Sequence, residues 1–184
     1  GANEISDELT PEETIENAYL KMKSSLTDEL LDYVTRSSPE FFEKLVVQLL
    51  VAMGYGGSQK EAARAVGRSG DEGIDVIIDE DRLGLDVIYI QAKRWKRESK
   101  VGRPQVQAFV GALVGRHAKK GVFITTAEFT HEAYEFSKKL ETKVVLIDGV
   151  RLANLMIDHG IGVSTKMAYE INELDTDYFE DISG

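Results

Sequence analysis

Gln91 and Lys93 lie two positions apart in the β-branched run LDVIYIQAKRW, residues 85–95. In a strand, side chains two apart leave the same face. A second such run, GIDVIIDE at 73–80, precedes it, and the short polar turn Asp81-Arg82-Leu83-Gly84 joins the two in the manner of a hairpin. With Arg82-Leu83-Gly84 as a three-residue loop, Asp81 pairs with Leu85 and Asp75 falls opposite Gln91. Facing residues on one side of a hairpin hold their Cβ atoms about 4.5–5.5 Å apart. Asp75, Gln91 and Lys93 therefore converge on one spot. Glu43 is the fourth candidate. It lies at the edge of an apolar helical stripe formed by Phe42, Leu45, Val46, Leu49, Leu50 and Met53. A carboxylate there can lean over the sheet.

Two carboxylates and an amide oxygen make a hard, oxygen-rich donor set suited to Mg2+ or Mn2+. Such an ion acidifies water and neutralises charge building on a phosphate. A lysine beside it adds a cation and can orient the attacking water. Glu43, Asp75, Gln91 and Lys93 are thus the expected catalytic set, with Glu43, Asp75 and Gln91 as metal ligands. The next residues supply a substrate reading. Lys93, Arg94, Lys96, Arg97, Lys100 and Arg103 place six bases within eleven residues, with Trp95 among them. Clusters of this kind bind phosphate backbones. Arg94, Trp95, Lys96, Arg97, Lys100 and Arg103 are expected to meet nucleic acid.

Bulk charge points the other way until it is divided. The chain of 184 residues carries 22 Lys+Arg against 32 Asp+Glu, a net charge of −10. Residues 1–43 hold 11 acids and 3 bases, residues 44–120 hold 9 and 14, and residues 121–184 hold 12 and 5. The basic middle contains the candidate site. With no cysteine there are no disulfides, and any metal must take His or oxygen ligands. His117, His131 and His159 are too widely spaced to suggest a cluster. No apolar run reaches the roughly 18–20 residues of a membrane span. The chain opens with Gly-Ala rather than Met, so a preceding module is expected.

The elements that must position these groups can be outlined from the same pattern. Thr10-Pro11-Glu12-Glu13 is a capped helix start. Ile15, Ala18, Tyr19, Met22, Leu26, Leu30 and Val34 continue it at helical spacing to about residue 36. Ser38-Pro39-Glu40 starts a second helix that runs to about Met53 and stops at Gly54. Residues 58–73 read as irregular, with a short strand near 61–67. Beyond the hairpin, a helix is expected over 105–117, a strand in KGVFITTA, and a helix from Thr130 to about Leu140. A strand in KVVLIDG and a helix over 150–159 follow. Residues 164–184 show no period and read as a strand or an acidic tail. The order predicts an α/β domain with a mixed sheet.

FFEKLVVQLLVAMGYGG, GRSGDEGIDVIID, IYIQAKRW, VQAFVGAL and KGVFITTAEFT closely resemble the catalytic domain of the Mrr-like restriction endonucleases, within the PD-(D/E)xK nuclease superfamily. The resemblance covers roughly residues 36–160. It implies a restriction-endonuclease-like fold: a mixed central sheet flanked by helices and preceded by a long N-terminal connector helix. It assigns Asp75 to the GID motif, Gln91 and Lys93 to the Q-x-K motif, and Glu43 to the first helix of the active site. It further implies Asp71 and Gln107 as supporting groups around the site. Glu72, where relatives often have Gly, is a small departure. The implied activity is Mg2+- or Mn2+-dependent cleavage of double-stranded DNA, directed at foreign or methylated DNA as in type IV restriction. The alternatives are a structure-selective repair nuclease or resolvase, and a catalytically inactive DNA-binding module. The resemblance also implies an N-terminal winged-helix-like reader, a homodimer when both strands are cut, a cytoplasmic location in a prokaryotic cell and no membrane association. The expected organisation is a disordered start and connector helix over 1–36, the nuclease domain over 37–160 and an acidic segment over 161–184.

Overall fold

The computed structural model describes residues 9–57 and 73–180. The expected strand near 61–67, together with Asp71 and Glu72, lies outside the described residues. Helix α1 spans Pro11–Arg36 and α2 spans Pro39–Ala52. Strands β1 (Val76–Asp79) and β2 (Val87–Lys93) follow. After them come β3 (Lys100–Val101), α3 (Arg103–Gly115), β4 (Lys120–Thr125) and β5 (Glu128–Phe129). The chain continues through α4 (His131–Lys138), β6 (Lys143–Ile147), α5 (Gly149–Asp158) and the short α6 (Thr176–Glu180).

Among the described residues, four strands form one sheet in the order β1-β2-β4-β6. β1 and β2 are antiparallel, whereas β2–β4 and β4–β6 are parallel. This is the mixed sheet expected of the pattern: a hairpin supplies the antiparallel pair, and helical crossovers supply the parallel ones. β3 and β5 make a separate parallel pair of two residues each, too short to leave a periodic trace in the sequence.

The sheet is apolar on both faces, so its central strands must be covered twice. On one face Val76, Ile78, Ile88 and Ile90 meet α2 through Phe42, Leu45, Val46 and Leu49. Leu152 and Met156 of α5, with Leu30, Leu31 and Val34 of α1, complete that layer. On the other face Phe123 packs with Val106, Phe109 and Leu113 of α3. Phe109, Phe123, Phe129 and Tyr134 form a chain of edge-to-face contacts with centroids 5.4–5.7 Å apart. Gly121 lets α3 approach β4: a Cβ there would sit 2.6 Å from Leu113.

Helix α1 departs from its apolar stripe. Leu30, Leu31 and Val34 are buried, but Ile15, Tyr19, Met22 and Leu26 are all exposed. Among the described residues, α1 meets the body from about its midpoint onward, where Lys23 pairs with Asp158 at 2.8 Å and Thr27 lies 3.3 Å from Asn154. From there to its C-terminus α1 packs into the core through Leu30, Leu31 and Val34. Helix α3 begins two residues earlier than its expected start, because Pro104 sits in its first turn and the Gln105 side chain caps the Gly102 N–H at 3.0 Å. Residues 163–175 form neither strand nor helix, and from residue 166 to residue 180 the chain is exposed.

Candidate active site

The hairpin places three of the four candidates. Its register pairs Val76 with Ile90 and Asp79 with Val87. Continuing one step beyond the ladder sets Asp75 opposite Gln91. The Asp75 N–H donates to the Ile90 carbonyl at 2.8 Å, and the Ala92 N–H donates to Asp75 Oδ2 at 2.7 Å. Asp75 is thus clipped to β2 by its backbone and by its side chain. The turn supports this register. Asp81 Oδ1 accepts the Leu83 N–H at 2.6 Å, and Gly84 takes a φ of +66°, where glycine is unstrained.

Alternation along β2 sends Ile88 and Ile90 towards α2, so Gln91 and Lys93 leave by the opposite face. Gln91 is buried, and its Oε1 finds no hydrogen-bond partner among the described residues. A buried amide oxygen left unpaired is costly, and it is the kind of group a cation completes. Gly73, of the GID motif, stands over the same amide. It has a φ of +84°, and a Cβ built there would lie 3.3 Å from Gln91 Nε2. The Lys93 ammonium lies 5.7 Å from the centroid of the Trp95 ring, which carries it at the strand end.

Glu43 arrives from the other side of the sheet. Ser38 caps α2 by accepting the Phe41 N–H at 3.1 Å, and the apolar stripe headed by Phe42 seats the helix on β1 and β2. Glu43, next to Phe42, is half-buried. Burial pushes its carboxyl above the ordinary carboxylate range, and the negative charges of Asp75 and Glu40 push the same way. Asp75 is thus close enough for its charge to act on the Glu43 carboxyl.

Among the described residues, no three of His, Cys, Asp or Glu gather as a metal cluster. A cation held here therefore needs the Gln91 oxygen beside the two carboxylates. The donor types fit that requirement: two carboxylates, and a buried amide oxygen with no partner among the described residues. Asp75 retains Oδ1 free of partners among the described residues.

The basic cluster is divided among several surroundings. Arg97 forks onto Asp32 at 2.8 Å and Asp28 at 2.9 Å, both on α1. Arg94 donates to the Thr35 carbonyl at 2.7 Å, and its buried Nε has no partner among the described residues. Lys100 pairs with Glu128 at 2.9 Å, and Arg103 stacks over Phe136 with its guanidinium carbon 5.0 Å from the ring centroid. Lys96 is exposed and has no ion-pair partner among the described residues. Trp95 is half-buried against the α3 side of the core. The structure therefore turns Arg94 and Arg97 towards α1. Gln107 is exposed on α3 and is bonded to none of the four site residues. Thr125 and Thr126 are buried structural groups: Thr125 Oγ1 accepts the Ala127 N–H at 3.1 Å, and the Thr126 hydroxyl donates to the Trp95 carbonyl. The role of Gly73 beside Gln91 was missed in the sequence, although the left-handed demand of a Gly before a strand was a usable signal.

Residues 34–156, which carry all four site residues, match the catalytic-domain family Mrr_cat, described as restriction endonuclease. This chain belongs to the Mrr family of restriction endonucleases. It is 44% identical over 171 residues to the type IV methyl-directed restriction enzyme EcoKMrr of Escherichia coli K12. That alignment takes in 93% of this chain and 55% of the relative, so the chain spans about half the length of the curated protein it matches. Its fold is similar to that of the MspJI restriction endonuclease solved with a 27-mer oligonucleotide. The TM-score is 0.54 and the identity 26%, over 73% of this chain and 31% of that one. It is also similar to the DNA modification-dependent restriction endonuclease AspBHI, with a TM-score of 0.53 and 17% identity over 73% of this chain and 36% of that one. The second likeness concerns the fold alone. No helix of this Mrr-family chain, among the described residues, is long and apolar enough to cross a membrane.

Proposed function

We propose that this Mrr-family chain is the catalytic part of a modification-dependent DNA endonuclease, hydrolysing phosphodiester bonds with Mg2+ or Mn2+. The observation that carries the reading is the buried Oε1 of Gln91, unpartnered among the described residues, opposite Asp75 and two positions before Lys93. Glu43, Asp75 and Gln91 would hold the cation. When bound, it supplies a Lewis acid for the phosphate and acidifies water. Lys93 orients the attacking water and offsets charge gathering on the phosphate oxygens. Asp75 keeps its place through the Ala92 N–H, which orients one carboxylate oxygen before any ligand enters. Lys96, exposed and without an ion-pair partner among the described residues, is the first contact for the phosphate backbone, with Lys100 nearby in sequence.

The same reading extends to methylated or otherwise modified double-stranded DNA as substrate and to a reader module outside this chain. It also includes pairing of two copies when both strands are cut, and action in the cytoplasm of a prokaryotic cell. The 44% identity to a methyl-directed enzyme supports the substrate class. The test compares methylated, unmethylated and branched DNA with Mg2+. It uses this chain and a longer protein that spans the full length of the relative. Preferential cutting of methylated DNA by the longer protein is expected. Preference for branched DNA would replace restriction with a resolvase-like role, and no cutting of any substrate would leave a DNA-binding module.

A further inference from the structure

The segment that follows Lys93 is held from two directions. Inward, the Lys93 carbonyl accepts the Thr126 N–H at 3.3 Å, and the Trp95 carbonyl accepts the Thr126 hydroxyl. Outward, Arg94 reaches the Thr35 carbonyl and Arg97 reaches both Asp28 and Asp32. Asp28 and Asp32 are four residues apart on α1, hence one turn apart on one face. One guanidinium spans them with two separate nitrogens, a geometry that fixes orientation as well as distance. These bonds join positions 59, 65 and 69 residues apart in the chain. Surface ion pairs of this exposure add little to stability. Their effect is positional: they fix the segment that leaves the strand end carrying Lys93.

We propose that Asp28, Asp32 and Thr35 of α1, acting through Arg97 and Arg94, are positioning residues for Lys93. The C-terminal half of α1 is then part of the catalytic machinery at one remove. Arg94 and Arg97 serve as its attachment points rather than as contacts to the DNA backbone. The inference rests on the assignment of Lys93 to the reaction. The geometry favours a clamp over a DNA-binding role for Arg97, since both of its terminal nitrogens are already engaged by carboxylates. A lysine in its place would carry the charge but not the fork.

Trp95 lies within the clamped segment and is the one tryptophan of the chain, so its emission reports on that segment alone. The experiment compares wild type with Asp28→Asn/Asp32→Asn, Arg97→Ala, Arg97→Lys and the reciprocal exchange Arg97→Asp/Asp32→Arg. Each is measured for kcat and KM on cleavable DNA, for salt-dependent DNA affinity and for Trp95 emission, with far-UV circular dichroism confirming the fold. The clamp predicts that Asp28→Asn/Asp32→Asn and Arg97→Ala lower kcat about tenfold or more, with KM and the salt slope unchanged. It also predicts a red shift of Trp95, little recovery in Arg97→Lys, and partial recovery of kcat and emission in the exchange. Unchanged kcat and emission in the Asp28→Asn/Asp32→Asn protein would overturn it. So would tighter DNA binding by that protein at full kcat, which would mean that α1 competes with DNA for Arg97. Lys93→Ala, run alongside, separates the two readings. If Lys93→Ala cuts normally, the site assignment fails, whereas Trp95 emission still tests the clamp itself.

Discussion

The Ala92 N–H donates to Asp75 Oδ2 across the hairpin at 2.7 Å, so a single carboxylate both closes the strand pair and faces the candidate cation site. The two duties separate by substitution. In Asp75→Asn the amide oxygen can still accept from Ala92, so stability should stay within about 0.5 kcal/mol of wild type. Asp75→Ala leaves that N–H unpaired and should cost about 1 kcal/mol or more. Both variants should lose cleavage. Urea unfolding alongside plasmid nicking checks the split.

Glu43 predicts a pH signature. Its carboxyl is raised above the ordinary range by burial first, then by Asp75 and Glu40. The folded chain therefore holds this proton more tightly than the unfolded chain does. The stability it contributes is complete below the unfolded carboxylate value and is lost as pH rises through the raised folded value. At neutral pH Glu43 opposes folding. Glu43→Gln should raise Tm at neutral pH while removing cleavage, and the gain should shrink as pH falls through the carboxylate range. Thermal melts of both proteins across that range are the check. A Tm difference that grows on acidification would be the wrong sign.

Gly73 combines a φ of +84° with a Cβ position 3.3 Å from the Gln91 amide nitrogen. An alanine there meets backbone strain of about 1 kcal/mol. It also presses on the side chain whose oxygen faces the site. Gly73→Ala should lower stability by about 1–2 kcal/mol and raise the Mg2+ concentration needed for half-maximal cleavage. Metal-dependence curves for the two proteins distinguish this from a stability effect alone.

The distribution of the bases predicts how DNA binding answers to salt. Lys96 is unpaired among the described residues, whereas Lys100 is held by Glu128. Lys96→Ala should reduce the slope of log K against log salt by about 0.9, the value for one phosphate contact on duplex DNA. Lys100→Ala should change it less. Fluorescence anisotropy at several salt concentrations measures both.

Much of this site could be read from local pattern. The β-branched runs and the turn at Asp81–Gly84 placed Asp75 opposite Gln91, because register in a hairpin follows from turn length and alternation. Glu43 followed from the stripe of α2, which lies against the sheet as its periodicity requires. The basic residues were a different case. Composition shows that Arg94 and Arg97 are charged, but which groups meet them (the Thr35 carbonyl and the Asp32 carboxylate) depends on α1 packing some 60 residues earlier in the chain, and no local signal carries that. The stripe of α1 misled for a similar reason. Its period is helical throughout, yet only Leu30, Leu31 and Val34 find a surface to cover, while Ile15 and Tyr19 remain exposed. β3 and β5 are too short for periodicity to register.

Glu43, Asp75, Gln91 and Lys93 are proposed to act as one cation-dependent hydrolytic site. The most direct test is the single-turnover rate of DNA cleavage as Mg2+ is titrated, for wild type and for Lys93→Ala of matching Tm. Saturating, Mg2+-dependent cleavage by wild type is predicted, with a loss of about 10²–10³ in the maximal rate for Lys93→Ala. Equal rates for the two proteins, or cleavage that persists undiminished in EDTA, would contradict it.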